Sequence, residues 1–307
     1  DEGSAPTQAA LAVDPPTGAV LVDLDDDAST EEHADAAARV VRAIAPHRWP
    51  SGVAALGEEL NDPANLFRLT PPPGEADDVV RALSRDPEVE VVEVERSWSV
   101  PEPPIAAGAE TEPEPADDPD RFVPNDPYYG YQWHLDQVGM PSAWTFGRGE
   151  GAVVAVIDTG VAYRSEEGFA QAPDLGETRF VAGYDFVRRD AHPDDDHGHG
   201  THVAGTIAQS TNNGVGVAGV APRAAIMPLK VLSRNGTGGW GAIAAAIRYA
   251  VDHGADVINM SLGGGFPSRT VQRAIDHAHD EGVLVVAAAG NAGRGHVEYP
   301  ARYRHVV

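Results

Sequence analysis

Apolar and polar positions follow two different rhythms along the 307 residues. In the first 96, short β-branched runs are separated by helical patterns. Ala19 to Leu24, Asn65 to Thr70 and Val89 to Glu95 read as strands. Ala37, Val40, Val41 and Ile44 share a helical face behind a capping box of Ser29 and Glu32, and Ala76, Val79, Val80 and Leu83 form a second face. With a further short strand near Val53, this order predicts a small α+β domain over residues 1–96, two helices on an antiparallel sheet. Residues 97–124 are rich in Pro and Glu, have little to bury and read as an extended linker.

From residue 125 strands alternate with helices. Ala152 to Asp158, Ala225 to Val231, Asp256 to Ser261 and Val283 to Ala289 are apolar strands; helices are expected from about Thr201 to Ala208, Gly239 to His253 and Arg269 to Glu281. Nearly continuous apolar strands predict a parallel sheet covered on both faces, with functional groups gathered at its carboxyl ends. Asp158, Ser261 and Asn291 lie there.

Charge sharpens the division. The net charge is -25, and residues 1–124 carry 28 acids against 8 bases while the rest carry 19 against 14. Such an excess of acid argues against nucleic acid or an anionic membrane surface as partner. No apolar run approaches the roughly 20 residues that span a bilayer. The absence of Cys excludes disulfides, thiolate metal sites and a cysteine nucleophile. The first residues have no basic, apolar leader, which leaves a cytosolic protein or one whose signal peptide lies outside this sequence. Lys230 is the one lysine among 22 basic residues, a bias that fits a GC-rich genome better than a salt-adapted surface.

The densest chemistry lies in Asp196-His-Gly-His-Gly-Thr-His-Val-Ala-Gly-Thr206. His197, His199 and His202 beside Asp194, Asp195 and Asp196 suit metal ligation, or one imidazole acting as general base at a helix start, or a solvated acidic loop. Asp158, followed by Thr159-Gly160 at a strand end, is placed to orient an imidazole. Asn291 ends another strand with an amide able to donate to a developing oxyanion. Met260-Ser-Leu-Gly-Gly264 supplies an edge that a peptide backbone can approach. Singly, each of these is more often a turn.

In chain order, PNDPYYGYQWHLDQV, VAVIDTGV, DFVRRD, HGHGTHVAGTIA, NNGVGVAGVAP, MPLKVL, INMSLGGG and VVAAAGN resemble the subtilisin-like serine proteases, with IDTG followed by HGTHVAGT the most specific pair. The resemblance implies a three-layer α/β/α fold with a mainly parallel sheet over residues 125–307, and a secreted endopeptidase acting on proteins and peptides. It makes Asp158 the orienting acid, His199 the general base and Asn291 the oxyanion donor, with His202 structural and His197 without a role. Ser261, Leu262 and Gly263, with Gly290, match the substrate-binding edge; Asn235 to Trp240, including Gly236 and Trp240, match with Leu232 a more distant apolar subsite. A structural calcium ion is implied at Asp126, Asp174, Thr211, Asn213, Val215 and Val217, and some members have a second ion at positions like Asp185, Asp190 and Asp194. Residues 1–96 are similar in pattern and position to the family's propeptide, which assists folding and then inhibits by lying across the cleft.

The departure concerns the nucleophile. The family carries its Ser in Gly-Thr-Ser, which does not occur here, and the sequence stops at Val306-Val307 inside what looks like a further strand. The expectation is a protease domain lacking its C-terminal part, inactive as given. Two rivals remain at this level: a metal-dependent hydrolase built on His197, His199 and His202, and an inactive protease fold serving as a binding module.

Overall fold

Parity along one strand organises the N-terminal segment of the computed structural model, which describes residues 16–24, 54–55, 66–87, 89–100, 120–166, 168–291, 293 and 295–307. β1 (Pro16–Leu24) lies between β3 (Leu66–Leu69) and β4 (Val89–Ser99) in an antiparallel sheet, with β2 (Ala54–Ala55) beyond β3. Its even positions Val20, Val22 and Leu24 pack against Val79 and Leu83 of α1 (Ala76–Leu83). The odd positions face the other way: Leu21 enters the core of the C-terminal segment, and Asp23, fully buried, pairs with Arg248 at 3.4 Å and Arg273 at 3.0 Å. The helix expected behind Ser29 lies outside the described residues, as do residues 101–119 of the proposed linker.

The strand expected over 89–95 continues through Ser97, Trp98 and Ser99, which composition alone assigns to the linker. It continues because β9 (Thr237–Gly239) offers it an edge, pairing Ser97 with Gly239, Trp98 with Gly238 and Ser99 with Thr237. The resulting five-stranded sheet, in the order β2-β3-β1-β4-β9, joins both halves of the chain.

The C-terminal segment holds a parallel sheet in the order β11-β10-β5-β8-β6, with β7 also on β8. These strands are β5 (Val153–Asp158), β6 (Arg179–Phe180), β7 (Tyr184–Asp185), β8 (Ala225–Lys230), β10 (Val257–Met260) and β11 (Leu284–Ala287). Val154 and Val156 point to one face, where Ala204 and Ala208 of α2 (His199–Ala208) cover them. Ala155 and Ile157 point to the other, under α3 (Trp240–Asp252) and α4 (Arg269–Asp280). This is the expected three-layer α/β/α arrangement, and Val306 bridges Val285 in parallel beside β11.

Two helices begin under carboxylates carried by β4. The first amides of a helix have no partner within it and favour negative charge. At α4, Glu93 accepts from the Ser268 hydroxyl at 2.6 Å and from the amides of Arg269 and Thr270, both at 3.1 Å. At α3, which has no side-chain cap of its own, Glu95 Oε1 accepts the Gly241 amide at 3.2 Å while Oε2 is held by Thr17 at 2.8 Å and Arg68 at 2.9 Å. The acidic positions of the Val-Glu-Val-Glu run thus face a protein partner, not water.

Candidate active site

The centre of the site is the end of β5. Asp158 is fully buried; its Oδ1 accepts the Thr159 amide at 2.7 Å, and its carboxylate meets His199 Nδ1 at 2.8 and 3.0 Å. His199 is the first residue of α2, and the helix can start so near the strand because the next residue is glycine: a Cβ at Gly200 would overlap the Gly160 carbonyl and stand 3.1 Å from Asp158 Oδ1. Gly160 has φ +101°, and a Cβ there would lie 2.7 Å from the Pro193 carbonyl. The hydrogen bond from Asp158 is the main cause of a raised His199 pKa, and it outweighs the opposing effect of burial. With Nδ1 engaged, Nε2 is the nitrogen available to a reacting group.

Two residues hold this pair in place: Asp195, read from the sequence as one of the acids beside the histidines, and Lys230, left there without a role. Asp195 Oδ1 accepts from the Thr159 hydroxyl and the amides of His197 and Gly198, each at 2.9 Å, and Oδ2 accepts from Thr201 N at 3.0 Å and Oγ1 at 2.5 Å. Lys230, fully buried, donates to Thr159 O at 2.5 Å, Asp196 Oδ1 at 2.7 Å and Leu232 O at 2.9 Å. Its isolation in the composition was a signal, since a sole lysine at an apolar strand end needs buried partners.

The three histidines do not converge: the His197 and His199 rings lie 6.4 Å apart, His202 is exposed, and no group of three His, Cys, Asp or Glu among the described residues could hold a metal. The reading of this motif as a metal triad loses its geometric basis.

The candidate substrate-binding positions flank one strand of the chain itself. Ser99 exchanges both backbone hydrogen bonds with Gly263, at 3.1 and 3.0 Å, and the Val100 amide donates to Gly236 O at 3.0 Å. Trp98 is buried in one core cluster with Leu232, Trp240 and Leu262, its ring edge-on to Trp240 at 6.0 Å, and its Nε1 donates to Phe266 O at 3.3 Å. Ser261 is half-buried before this edge. Asn291 is exposed just after Gly290, whose φ is +97°, and has no hydrogen bond to Asp158 or His199.

The candidate calcium ligands also meet. Asp126 accepts the amides of Asn212 at 2.8 Å and Asn213 at 3.0 Å; Asp174 accepts Val217 N at 3.0 Å and Asn213 Nδ2 at 3.3 Å, together with Gln209 Nε2. Asn213 Oδ1 accepts Val215 N at 2.8 Å, and the Thr211 hydroxyl accepts Gly219 N at 2.9 Å. A Cβ at Gly216 would overlap Asp174 Oδ2, so that carboxylate lies against the loop backbone. The two carboxylates and the Asn213 amide oxygen are donors of the kind a hard cation takes, and here each accepts amides of the 211–217 loop. The second acidic group is different: Asp194 is ion-paired with Arg164 at 2.9 Å, and Asp185 is buried, which raises its pKa.

Comparison with known proteins shows the family. The pattern of the Subtilase family matches residues 149–307. Thermitase from Thermoactinomyces vulgaris is 43% identical over 187 residues, covering 61% of this chain and 64% of thermitase. A thermophilic serine proteinase from Bacillus sp. (strain AK1) is 35% identical over 292 residues, 94% of this chain and 63% of the relative. The crystal structure of fervidolysin from Fervidobacterium pennivorans, described as a keratinolytic enzyme related to subtilisin, superposes with a TM-score of 0.65 at 26% identity over 92% of this chain and 41% of that one. The chain therefore spans less than two thirds of the length of these relatives. With its buried Asp158–His199 pair at the end of a parallel sheet, the chain belongs to the subtilase family.

Proposed function

We propose that this chain is the greater part of a serine endopeptidase precursor. The observation that carries the reading is the 2.8 Å contact between the fully buried Asp158 carboxylate and His199 Nδ1. In this reading His199 Nε2 takes the proton of a serine hydroxyl as that oxygen attacks a peptide carbonyl, then returns it to the leaving amine. Asp158 fixes the tautomer and stabilises the imidazolium. Asn291 donates to the oxyanion from its exposed position beyond Gly290. Gly-Thr-Ser is absent from the 307 residues, so the reading requires a serine from outside them. The substrate is an extended polypeptide, supported by the two-sided pairing of Ser99 and Val100 with Gly263 and Gly236.

The same pairing supports a role for residues 1–96, extended to Val100, as intramolecular inhibitor, since Ser99 and Val100 take up the backbone groups of Gly263 and Gly236 that this reading gives to substrate. Calcium held by Asp126, Asp174 and Asn213, with carbonyls of Thr211, Val215 and Val217, would cross-link the 211–217 loop to two distant segments; its oxygen donors support this. Secretion rests on the family resemblance alone. The test is labelling by a fluorophosphonate. A form extended through a Gly-Thr-Ser should label at that single serine and lose labelling in His199→Ala; the 307-residue chain should not label. Labelling of one of its own serines would overturn the assignment, and an extended form that never labels would favour the inactive binding module.

A further inference from the structure

Beside Gly290 lies a cavity of about 290 Å³ walled by small residues, Ala289, Gly290, Gly293 and Gly295, and among the described residues its carboxylate-bearing lining residue is Glu298. Val297 completes its sides, and among the described residues His296 is its other polar group. The acidic residue is held firmly at the backbone: its amide donates to Ala289 O at 3.1 Å, and the following Tyr299 exchanges hydrogen bonds with Gly264 at 3.0 and 2.9 Å. The carboxylate therefore rests against the two strand ends that form the candidate binding edge. A Cβ on Gly290 would stand 2.9 Å from Glu298 Oε2, and one on Gly263 would stand 3.7 Å from it. Gly263 pairs with Ser99, and Gly290 precedes Asn291, so the substrate residue whose carbonyl faces Asn291 has this cavity next to its side chain.

Among the described residues, the Glu298 carboxylate has no hydrogen-bond or ion-pair partner. An apolar side chain filling the cavity would strip water from that carboxylate and give nothing back, which is unfavourable; a cationic one would pair with it. The methylene stem of Lys or Arg suits the glycine and valine walls, leaving the charge for the far end.

We propose that Glu298 is a specificity-determining residue that selects substrates with Lys or Arg on the acyl side of the cleaved bond. The proposal deepens the endopeptidase reading and rests on it. A hydrogen bond to a charged group corresponds to about 10- to 100-fold in specificity.

The test uses the complete, matured enzyme and peptides that differ only at that residue: Lys, Arg, Leu, Phe or Glu. Lys and Arg should exceed Leu in kcat/KM by about 10- to 100-fold. Glu298→Gln should lower that ratio by the same factor, and Glu298→Lys should turn the preference toward Glu, a gain that misfolding cannot produce. A wild-type preference for Leu or Phe, or a ratio unchanged in Glu298→Gln, overturns the proposal. If no peptide is cleaved, the endopeptidase reading fails and calorimetry with benzamidine decides the pocket. Binding that is lost in Glu298→Gln retains the cation site; no binding, or binding unaffected by the substitution, overturns it.

Discussion

The ammonium of Lys230 binds the carbonyl of Thr159 at 2.5 Å, one residue past the carboxylate that holds His199. The same ammonium ties Leu232 and Asp196 to that point, so one side chain joins β5, the histidine loop and the approach to β9. Lys230→Met should leave these oxygens without their donor and cost about 3 kcal/mol, the range for breaking a buried pair from one side. Urea denaturation of both forms measures it. A loss below about 1 kcal/mol would mean that Arg188, which also binds Asp196, takes over the pairing.

His199 and Asp158 should matter very unequally to rate. In the serine-containing enzyme, His199→Ala should lower kcat by about 10⁶ and Asp158→Asn by about 10⁴, the sizes of loss measured for the corresponding changes in subtilisin and in trypsin. Single-turnover hydrolysis of a peptide substrate would check both. Equal, small effects would deny the pair its catalytic role.

Because the Asp158 hydrogen bond raises the pKa of His199, the free-enzyme kcat/KM should rise with pH through a midpoint above the ordinary histidine range. Asp158→Asn should move that midpoint down. The stability arising from the pair has the opposite slope. It is fully present below the unfolded histidine pKa and is lost as pH rises through the raised folded value. The penalty of His199→Ala on the melting temperature should accordingly be larger at pH 5 than at pH 9, as calorimetry at the two values would reveal.

Removing calcium should lower the melting temperature of the protease domain. At a free ion level 100 times the dissociation constant, the linked stabilisation is about 2.7 kcal/mol. Chelator titration with differential scanning calorimetry tests this. Asp174→Asn should shrink the calcium response, and an unchanged melting temperature in excess chelator would dismiss the ion.

Glu93 and Glu95 should govern how tightly residues 1–100 inhibit the matured protease in trans. Each caps a helix start across the contact, and a lost cap costs typically about 1 kcal/mol. Glu93→Gln with Glu95→Gln should therefore weaken inhibition by about 10- to 100-fold. Inhibition constants from progress curves would show it; equal constants would assign the affinity to Trp98 and the backbone pairing.

The sequence carried the parallel sheet because its strands are apolar runs bounded by glycine and polar loops, and it carried Asp158 and His199 because IDTG and HGTHVAGT are rare strings. What stayed hidden was whatever depends on a distant partner. Nothing local in Ser97-Trp98-Ser99 says strand; β9, some 140 residues later, makes it one. Glu93 and Glu95 look solvated until the starts of α3 and α4 are placed over them. Glu298 sits in a stretch with no motif, and only folding brings it under Gly290 and Gly263.

The sheet that runs from β2 to β9 has a further consequence for how the molecule forms. Alone, the N-terminal segment would expose the outer edge of β4, uncover Trp98 and leave Asp23 without its two arginines; alone, the C-terminal segment would present β9, Gly263, the uncapped start of α3 and a start of α4 held by Ser268 without Glu93. Each half is the mould for the other's unfinished border. Cutting the chain between them would remove a tether and none of these contacts, so the two pieces should stay together after the cut until one of them is destroyed.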